Sequence, residues 1–192
     1  EEINAVEPGD SILHAAPMSH GSGMYMIPHI RAGSCQLIPR SGGFDEAEMV
    51  GICSQRSEIA LFAAPTMVHR LLDHCARDTS GCTAETLRRG IKCLTYGGGP
   101  MLLDTARRAR ALLGTRLTQI YGQGESPMTI TRLVGAAFEP DDCPLADRAL
   151  SSVGFAAQAD ITVMSWGGAY GEAQTEAFVK PFVAATGKPT IM

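Results

Sequence analysis

Short apolar runs that suit β-strands alternate with helical patterns along most of this chain. Strands are predicted over residues 11–16, 36–39, 58–63, 91–96, 117–121 and 129–133, and helices over residues 23–32, 44–54, 65–77 and 100–113. The first helix is expected to be interrupted near Pro28. Because parallel neighbours need a crossover connection, this alternation is typical of a mainly parallel sheet with helices on both faces. We therefore predict a layered α/β fold whose sheet stays parallel through residue 135.

The composition describes an ordinary globular protein and argues against several functions. The chain has 192 residues, enough for one sizeable core, of which 45% are hydrophobic and 19% are charged. A formal net charge of −4 argues against a nucleic-acid partner, and no apolar run has the length of a membrane span. The six cysteines form no CxxC pair, so neither a zinc site nor a disulfide framework is indicated, and a reduced, cytoplasmic setting is expected.

Two glycine-rich segments follow neighbouring predicted strands. Residues 95–100 have the sequence Thr-Tyr-Gly-Gly-Gly-Pro, and residues 119–128 have the sequence Gln-Ile-Tyr-Gly-Gln-Gly-Glu-Ser-Pro-Met. Ligands of open α/β sheets bind at the carboxyl ends of the strands, where glycine lets a phosphate or sugar approach the backbone closely. We expect both segments to face one crevice, in which a planar base fits between the glycines and Tyr121.

Glu125 follows the second segment as a lone carboxylate at a strand end. A carboxylate there is able to hold Mg²⁺ that also touches nucleotide phosphates. The alternative is an ordinary tight turn on the surface with an exposed glutamate.

Five segments occur in an order that is typical of one enzyme family. Residues 16–23, Ala-Pro-Met-Ser-His-Gly-Ser-Gly, are followed by residues 64–67, 96–100, 121–125 and 152–154. These segments resemble the motifs of the acyl-adenylate-forming enzymes, which include acyl-CoA synthetases, luciferases and the adenylation domains of peptide synthetases. The resemblance covers residues 1–155 and implies the Rossmann-like central part of an AMP-binding domain.

The family reaction has two steps. A carboxylic acid, here expected to be a fatty acid, attacks ATP to give an acyl-adenylate and pyrophosphate, and coenzyme A then takes the acyl group. The resemblance implies that Glu125 holds Mg²⁺ and that His20 borders the acyl group and the path of the thiol. The residues implied to bind the nucleotide and border the acyl group are Gly97, Gly98, Gly99, Pro100, Tyr121, Gly122, Gln123 and Gly124. Gly124 stands where the family usually has a threonine that contacts phosphate, and Ser126 is a partial substitute.

Two side-chain types near residue 20 have alternative interpretations. His20 is followed by Gly21 and could instead bond a nearby backbone carbonyl. Met24 and Met26 could line an irregular acyl pocket, although the sequence favours filling of the core for both.

The family's phosphate loop and its C-terminal catalytic lysine do not match any segment of this sequence. We therefore expect a fragment of an enzyme that by itself turns over nothing. From Ala159, the tail resembles the first mature strand and helix of periplasmic solute-binding proteins of polyamine-type ABC transporters. We expect residues 156–192 to form a strand–helix appendage of that origin. A solute-binding module based on this tail, or an inert fragment, is the alternative function.

Overall fold

The computed structural model describes residues 5–134, 150–152, 155–156, 161–162 and 190–191. Its main sheet contains the strands β1 (Ser11–Leu13), β2 (Cys35–Leu37), β3 (Ile59–Ala63), β4 (Ile91–Tyr96), β5 (Leu117–Gln123), β6 (Ser126–Leu133) and β7 (Phe155–Ala156). The helices are α1 (Gly21–Met24), α2 (Met26–Arg31), α3 (Glu46–Gln55), α4 (Pro65–Arg77), α5 (Cys82–Gly90) and α6 (Leu103–Leu113). A 3₁₀ turn, Gly114–Arg116, joins α6 to β5.

The strand order is β2-β1-β3-β4-β5-β6-β7, and the first five of these run parallel. The prediction of an α/β fold with a mainly parallel sheet is confirmed. The sheet does not stay parallel through residue 135, because β6 pairs antiparallel with β5. Gly124 and Glu125 alone join the two strands, since Gln123 pairs with Ser126. A parallel connection needs about a dozen residues, so this two-residue turn permits only a hairpin.

The strands send alternate side chains into two apolar clusters on opposite faces of the sheet. On one face, Leu13, Leu61 and Leu94 pack against α3–α6. The helices contribute buried side chains that include Met49, Cys53, Val68, Leu71, Leu87, Ala106 and Leu112. On the other face, Ile12 and Phe62 pack against Tyr25, which lies between α1 and α2. This second, smaller cluster borders the site described below.

Two predicted helices differ from the observed helices: one in where it is interrupted, the other in where it begins. The break in the first helix lies at Tyr25 rather than near Pro28, which sits in the first turn of α2, where its missing N–H removes no hydrogen bond. The helix predicted from Pro100 begins only at Leu103, because Leu102 is extended, with φ −65° and ψ 141°. The glycines after β4 therefore belong to an open loop.

The tail is described only at β8 (Ile161–Thr162) and β9 (Thr190–Ile191), which pair in parallel. The expected strand–helix appendage otherwise lies outside the described residues and stays a prediction. Among the helices of the described part, none has the length and hydrophobicity that a membrane crossing needs.

Candidate active-site cleft

A cleft of about 660 Å³ opens at the carboxyl edge of the sheet, where the chain leaves β1, β3, β4 and β5. It is lined by Ala16, Pro17, Ser19, His20, Gly21, Met24, Phe62, Ala64, Met67, Gly97, Gly98, Ile120, Gly122, Gln123, Gly124, Pro127 and Met128. The first glycine-rich segment follows β4, the second covers the end of the adjacent strand β5 and the hairpin turn, and both contribute to this one cleft. Its position is the one at which open parallel sheets bind their ligands.

The structure brings some of the sequence-predicted site residues together and leaves others aside. Those that line the cleft are His20, Gly97, Gly98, Gly122, Gln123 and Gly124. Those that do not are Gly99, Pro100, Tyr121 and Glu125. The ligand roles of both groups stay predictions.

The loop after β4 approaches β5 closely at Gly97. A Cβ atom on residue 97 would lie 2.6 Å from Cδ1 and 2.8 Å from the carbonyl oxygen of Ile120. Gly98 has φ +81°, in the left-handed region that favours glycine. Both glycines are therefore required by the backbone path, and neither adds a side chain to the cleft.

The β5–β6 hairpin is irregular next to the cleft. The pairing register shifts between Tyr121 and Gln123, and Met128 has φ 60°, which is rare for a residue with a side chain. A Cβ atom on Gly122 would collide with the backbone nitrogen of Met128. Glycine at residue 122 thus allows the hairpin to fold back, and this bulge turns Met128 into the cleft.

Tyr121 and Glu125 lie beside the cleft rather than in its wall. The Tyr121 hydroxyl accepts a hydrogen bond from Nε2 of Gln123 at 2.7 Å. Glu125 is exposed at the tip of the hairpin. The described residues contain no group of three metal-ligating side chains, so a cation here would need oxygens from a bound phosphate beside this single carboxylate.

His20 is exposed in the segment between β1 and α1. Its Nδ1 and the Ser19 hydroxyl are 3.0 Å apart, so the ring bonds a side chain rather than the backbone carbonyl considered from the sequence. The segment is held by backbone hydrogen bonds from His20 N to Pro17 O at 3.1 Å and from Gly23 N to His20 O at 3.1 Å. The ring is therefore directed by a short, tightly folded loop.

One side of the cleft is apolar. Its apolar side chains include Ala16, Met24, Phe62, Met67, Ile120 and Met128. Met24 lines the cleft and is 45% exposed, so it does not fill the core as the sequence favoured, whereas Met26 does not line the cleft. Phe62 stacks on Tyr25 with ring centroids 6.0 Å apart, and burial raises the pKa of Tyr25 while the Thr95 hydroxyl opposes the rise.

Sequence reasoning missed Phe62, Ile120 and Met128 as lining residues. Phe62 alternates with Leu61 in β3, so the period of two already placed it on the face opposite the main core. Ile120 alternates in the same way with Tyr121 in β5. No local signal placed Met128, because its position depends on the bulge in the hairpin.

The model of one protein family, the AMP-binding enzymes, matches residues 1–176. This chain belongs to that family. The match continues past residue 155, where the sequence predicted the domain to end, and the solute-binding origin of residues 156–192 stays a prediction.

A curated relative of this AMP-binding domain is the medium/long-chain-fatty-acid–CoA ligase FadD8 of Mycobacterium tuberculosis. The two are 30% identical over 122 residues, which are 63% of this chain and 20% of that protein. The domain also resembles ATP-bound MatB from Rhodopseudomonas palustris, with TM-score 0.60 and 23% identity over 86% of this chain and 30% of that one. The N-terminal domain of FACL13 from Mycobacterium tuberculosis has TM-score 0.57 and 19% identity, with 80% of this chain and 35% of that one covered.

The structural likenesses show that this AMP-binding domain shares its fold with those enzymes. The chain spans only 20% to 35% of the lengths of these relatives.

Proposed function

We propose that this chain is the central part of an AMP-forming acid–thiol ligase that activates a fatty acid. The acid's carboxylate oxygen would attack the α-phosphorus of ATP, and pyrophosphate would leave. The sulfur of coenzyme A would then attack the acyl carbon, and AMP would leave with the electrons of the broken carbon–oxygen bond. The family membership and the fatty-acid–CoA ligase relative support this reaction class.

One observation carries the proposal: a single cleft joins an apolar side to a glycine-lined side. Met24, Phe62 and Met67 suit the hydrocarbon chain of an acid. The bare backbone at Gly97 and Gly98 suits the close approach of a nucleotide. An acyl-adenylate has both parts in one molecule, and about 660 Å³ is a typical volume for a pocket that takes a ligand of drug size.

Tyr121, Gly99, Pro100 and Gly124 are proposed to border the adenylate, and His20, Gly122 and Gln123 to border the acyl group. Glu125 fits the role of a Mg²⁺ ligand because it is an exposed carboxylate next to the glycine-lined side. When bound there with ATP, Mg²⁺ supplies charge that neutralises the phosphates. The remaining electrostatic stabilisation would come from parts of the full enzyme that this chain does not match.

The proposed partners are small molecules, namely the carboxylic acid, ATP and coenzyme A, in a cytoplasmic setting. The net charge of −4 gives no basis for binding a nucleic acid, whose recognition rests on clustered positive charge.

The test is equilibrium binding of a non-hydrolysable dodecanoyl-adenylate analogue, AMP and dodecanoate to the 192-residue chain, measured by isothermal titration calorimetry. Because the analogue occupies both sides of the cleft, we expect it to bind at least about tenfold more tightly than AMP or dodecanoate alone. Spermidine serves as the probe for a solute-binding module. An analogue that binds no better than its separate parts, or spermidine as the only ligand, would contradict the proposal.

A further inference from the structure

A buried chain of hydrogen bonds lies directly behind the cleft wall that carries His20. Nδ1 of His14 is 2.8 Å from the hydroxyl oxygen of Ser22, and Nε2 of His14 is 2.8 Å from Oε1 of Gln36. His14 is 3% exposed and Ser22 is fully buried. Each nitrogen of the imidazole therefore has one partner, in a place where an unpaired polar atom would be costly.

With the Gln36 amide oxygen facing a neutral His14 ring, the partners define one set of proton positions. The amide oxygen of Gln36 has no proton, so Nε2 of His14 carries the hydrogen and donates it. Nδ1 of the neutral ring is then the acceptor, and the Ser22 hydroxyl donates to it. The hydrogen bonds therefore run in one direction: Ser22 donates to His14, and His14 donates to Gln36.

These hydrogen bonds join three separate elements. His14 directly follows β1, Gln36 is the central residue of β2, and Ser22 is the second residue of α1. The two strands are already paired in register, from Ser11 with Cys35 to Leu13 with Leu37. The hydroxyl of Ser22 therefore connects the short α1 segment to two paired strands of the sheet.

The connected segment forms much of the cleft wall. His20, Gly21 and Met24 all lie within two residues of Ser22, and all three line the cleft. The packing leaves little freedom, because a Cβ atom on Gly21 would lie 2.5 Å from Cε1 of Phe62. A small rotation of α1 would therefore move the His20 ring and the Met24 side chain together.

We propose that His14 and Ser22 are positioning residues, which hold the acid-binding wall of the cleft in place through the hydrogen bond to Nδ1 of His14. The glycine-lined wall after β4 makes no hydrogen bond to Ser22, His14 or Gln36 among the residues that the structure describes. Loss of the Ser22 hydroxyl should then weaken binding of the acid and leave binding of the nucleotide unchanged. This inference rests on the proposed function, since it assigns the two walls to the acid and to AMP.

The test compares Ser22→Ala with the control Ser54→Ala. The Ser54 hydroxyl donates a hydrogen bond to the carbonyl of Gly51 on the exposed face of α3. Dodecanoate and AMP are titrated separately into the wild-type chain and both variants, with folding checked by circular dichroism. We expect Ser22→Ala to bind dodecanoate about tenfold more weakly and AMP within about twofold of wild type. Ser54→Ala should match the wild-type chain for both ligands.

A spectroscopic measurement tests the hydrogen bonds independently of ligand binding. Long-range ¹H–¹⁵N spectra of the imidazoles, with His14 assigned through its loss in His14→Phe, should show a protonated Nε2 and an unprotonated Nδ1. Gln36→Met removes only the acceptor of the Nε2 hydrogen and should allow the other tautomer of His14 to appear. This variant tests the hydrogen bonds if Ser22→Ala fails to fold. A wild-type ring with the hydrogen on Nδ1 would overturn the assigned direction.

The outcomes separate this inference from the proposed function. If the wild-type chain binds neither dodecanoate nor AMP, both this inference and the proposed function are wrong. A wild-type chain that binds both probes, together with equal losses of dodecanoate and AMP affinity in Ser22→Ala, shows a merely structural role. Unchanged binding in that variant likewise overturns the positioning role and leaves the proposed function standing.

Discussion

Gly97 and Ile120 touch across the adjacent strands β4 and β5 at the floor of the cleft. A Cβ atom at residue 97 would lie 2.6 Å from Cδ1 of Ile120, far inside the normal contact distance. The contact holds the bare backbone of the loop next to an apolar side chain, so the two sides of the cleft meet there. Two motifs that are separated in the sequence therefore depend on each other at this contact.

Gly97→Ala should therefore destabilise the domain and weaken ligand binding. Overpacking of this kind costs about 1–3 kcal/mol, and relief of the clash requires the loop or β5 to move. Gly43→Ala is the matched control, because its Cβ would meet nothing within 4 Å and residue 43 does not line the cleft. Urea denaturation and titration with the dodecanoyl-adenylate analogue check both variants. Equal behaviour of the two would contradict the importance of the Gly97–Ile120 contact.

Met24 is expected to limit the length of the acid. Met24→Trp would place a larger, aromatic side chain in the apolar side of the cleft. Dodecanoate should then bind about tenfold more weakly, while binding of a short acid such as butanoate stays unchanged. Met18→Trp is the control, because Met18 is 40% exposed, comparable with 45% for Met24, and does not line the cleft. Calorimetry with both acids decides, and an equal effect of the two substitutions would refute the assignment of this wall.

The sequence was sufficient to predict most of the sheet. Alternating apolar runs placed β4 at its observed bounds, and the spacing of Val68, Leu71 and Leu72 gave α4 its observed length. The glycine-rich segments also predicted the edge of the sheet at which the cleft lies, because ligand binding at the carboxyl ends of the strands depends only on topology.

What the sequence left out depends on contacts made across the fold. The hairpin at Gly124 and Glu125 was interpreted as a strand end, because no periodicity distinguishes a two-residue turn from a loop that leads to a crossover. The hydrogen bonds of His14 were also missed. Its partners, Ser22 and Gln36, are 8 and 22 residues away in the chain, so only the folded sheet brings them together.

Glu125→Gln tests the proposed Mg²⁺ site. The amide keeps the size of the side chain and removes the negative charge that a divalent cation prefers. We expect the gain in ATP affinity on adding Mg²⁺ to fall about tenfold, with little change for ATP in the presence of EDTA. Glu85→Gln, on the exposed side of α5, should retain the full Mg²⁺ effect. A retained Mg²⁺ effect in Glu125→Gln would show that the cation is held elsewhere.

His29 offers a prediction about stability that is independent of the ligand. Its side chain is fully buried, and neither ring nitrogen has a hydrogen-bond partner among the residues that the structure describes. Burial lowers the pKa of His29, with smaller contributions from Asp10, which raises the pKa, and from His14 and Lys92, which lower it. His29→Leu removes two unsatisfied polar atoms, so it should stabilise the domain by about 1 kcal/mol or more at pH 7.5.

The pH dependence follows from the direction of that pKa shift. Below pH 6.5, the ordinary pKa of a histidine side chain, the unfolded chain takes up a proton that the folded chain resists, so wild-type stability falls as the pH decreases. His29→Leu lacks this proton uptake, and its advantage over wild type should therefore widen between about pH 7.5 and pH 5. Urea denaturation at both pH values measures the difference, with His74→Leu as the control for losing an imidazole. An advantage that stays constant with pH would mean that His29 accepts its proton in the folded state as readily as in the unfolded one.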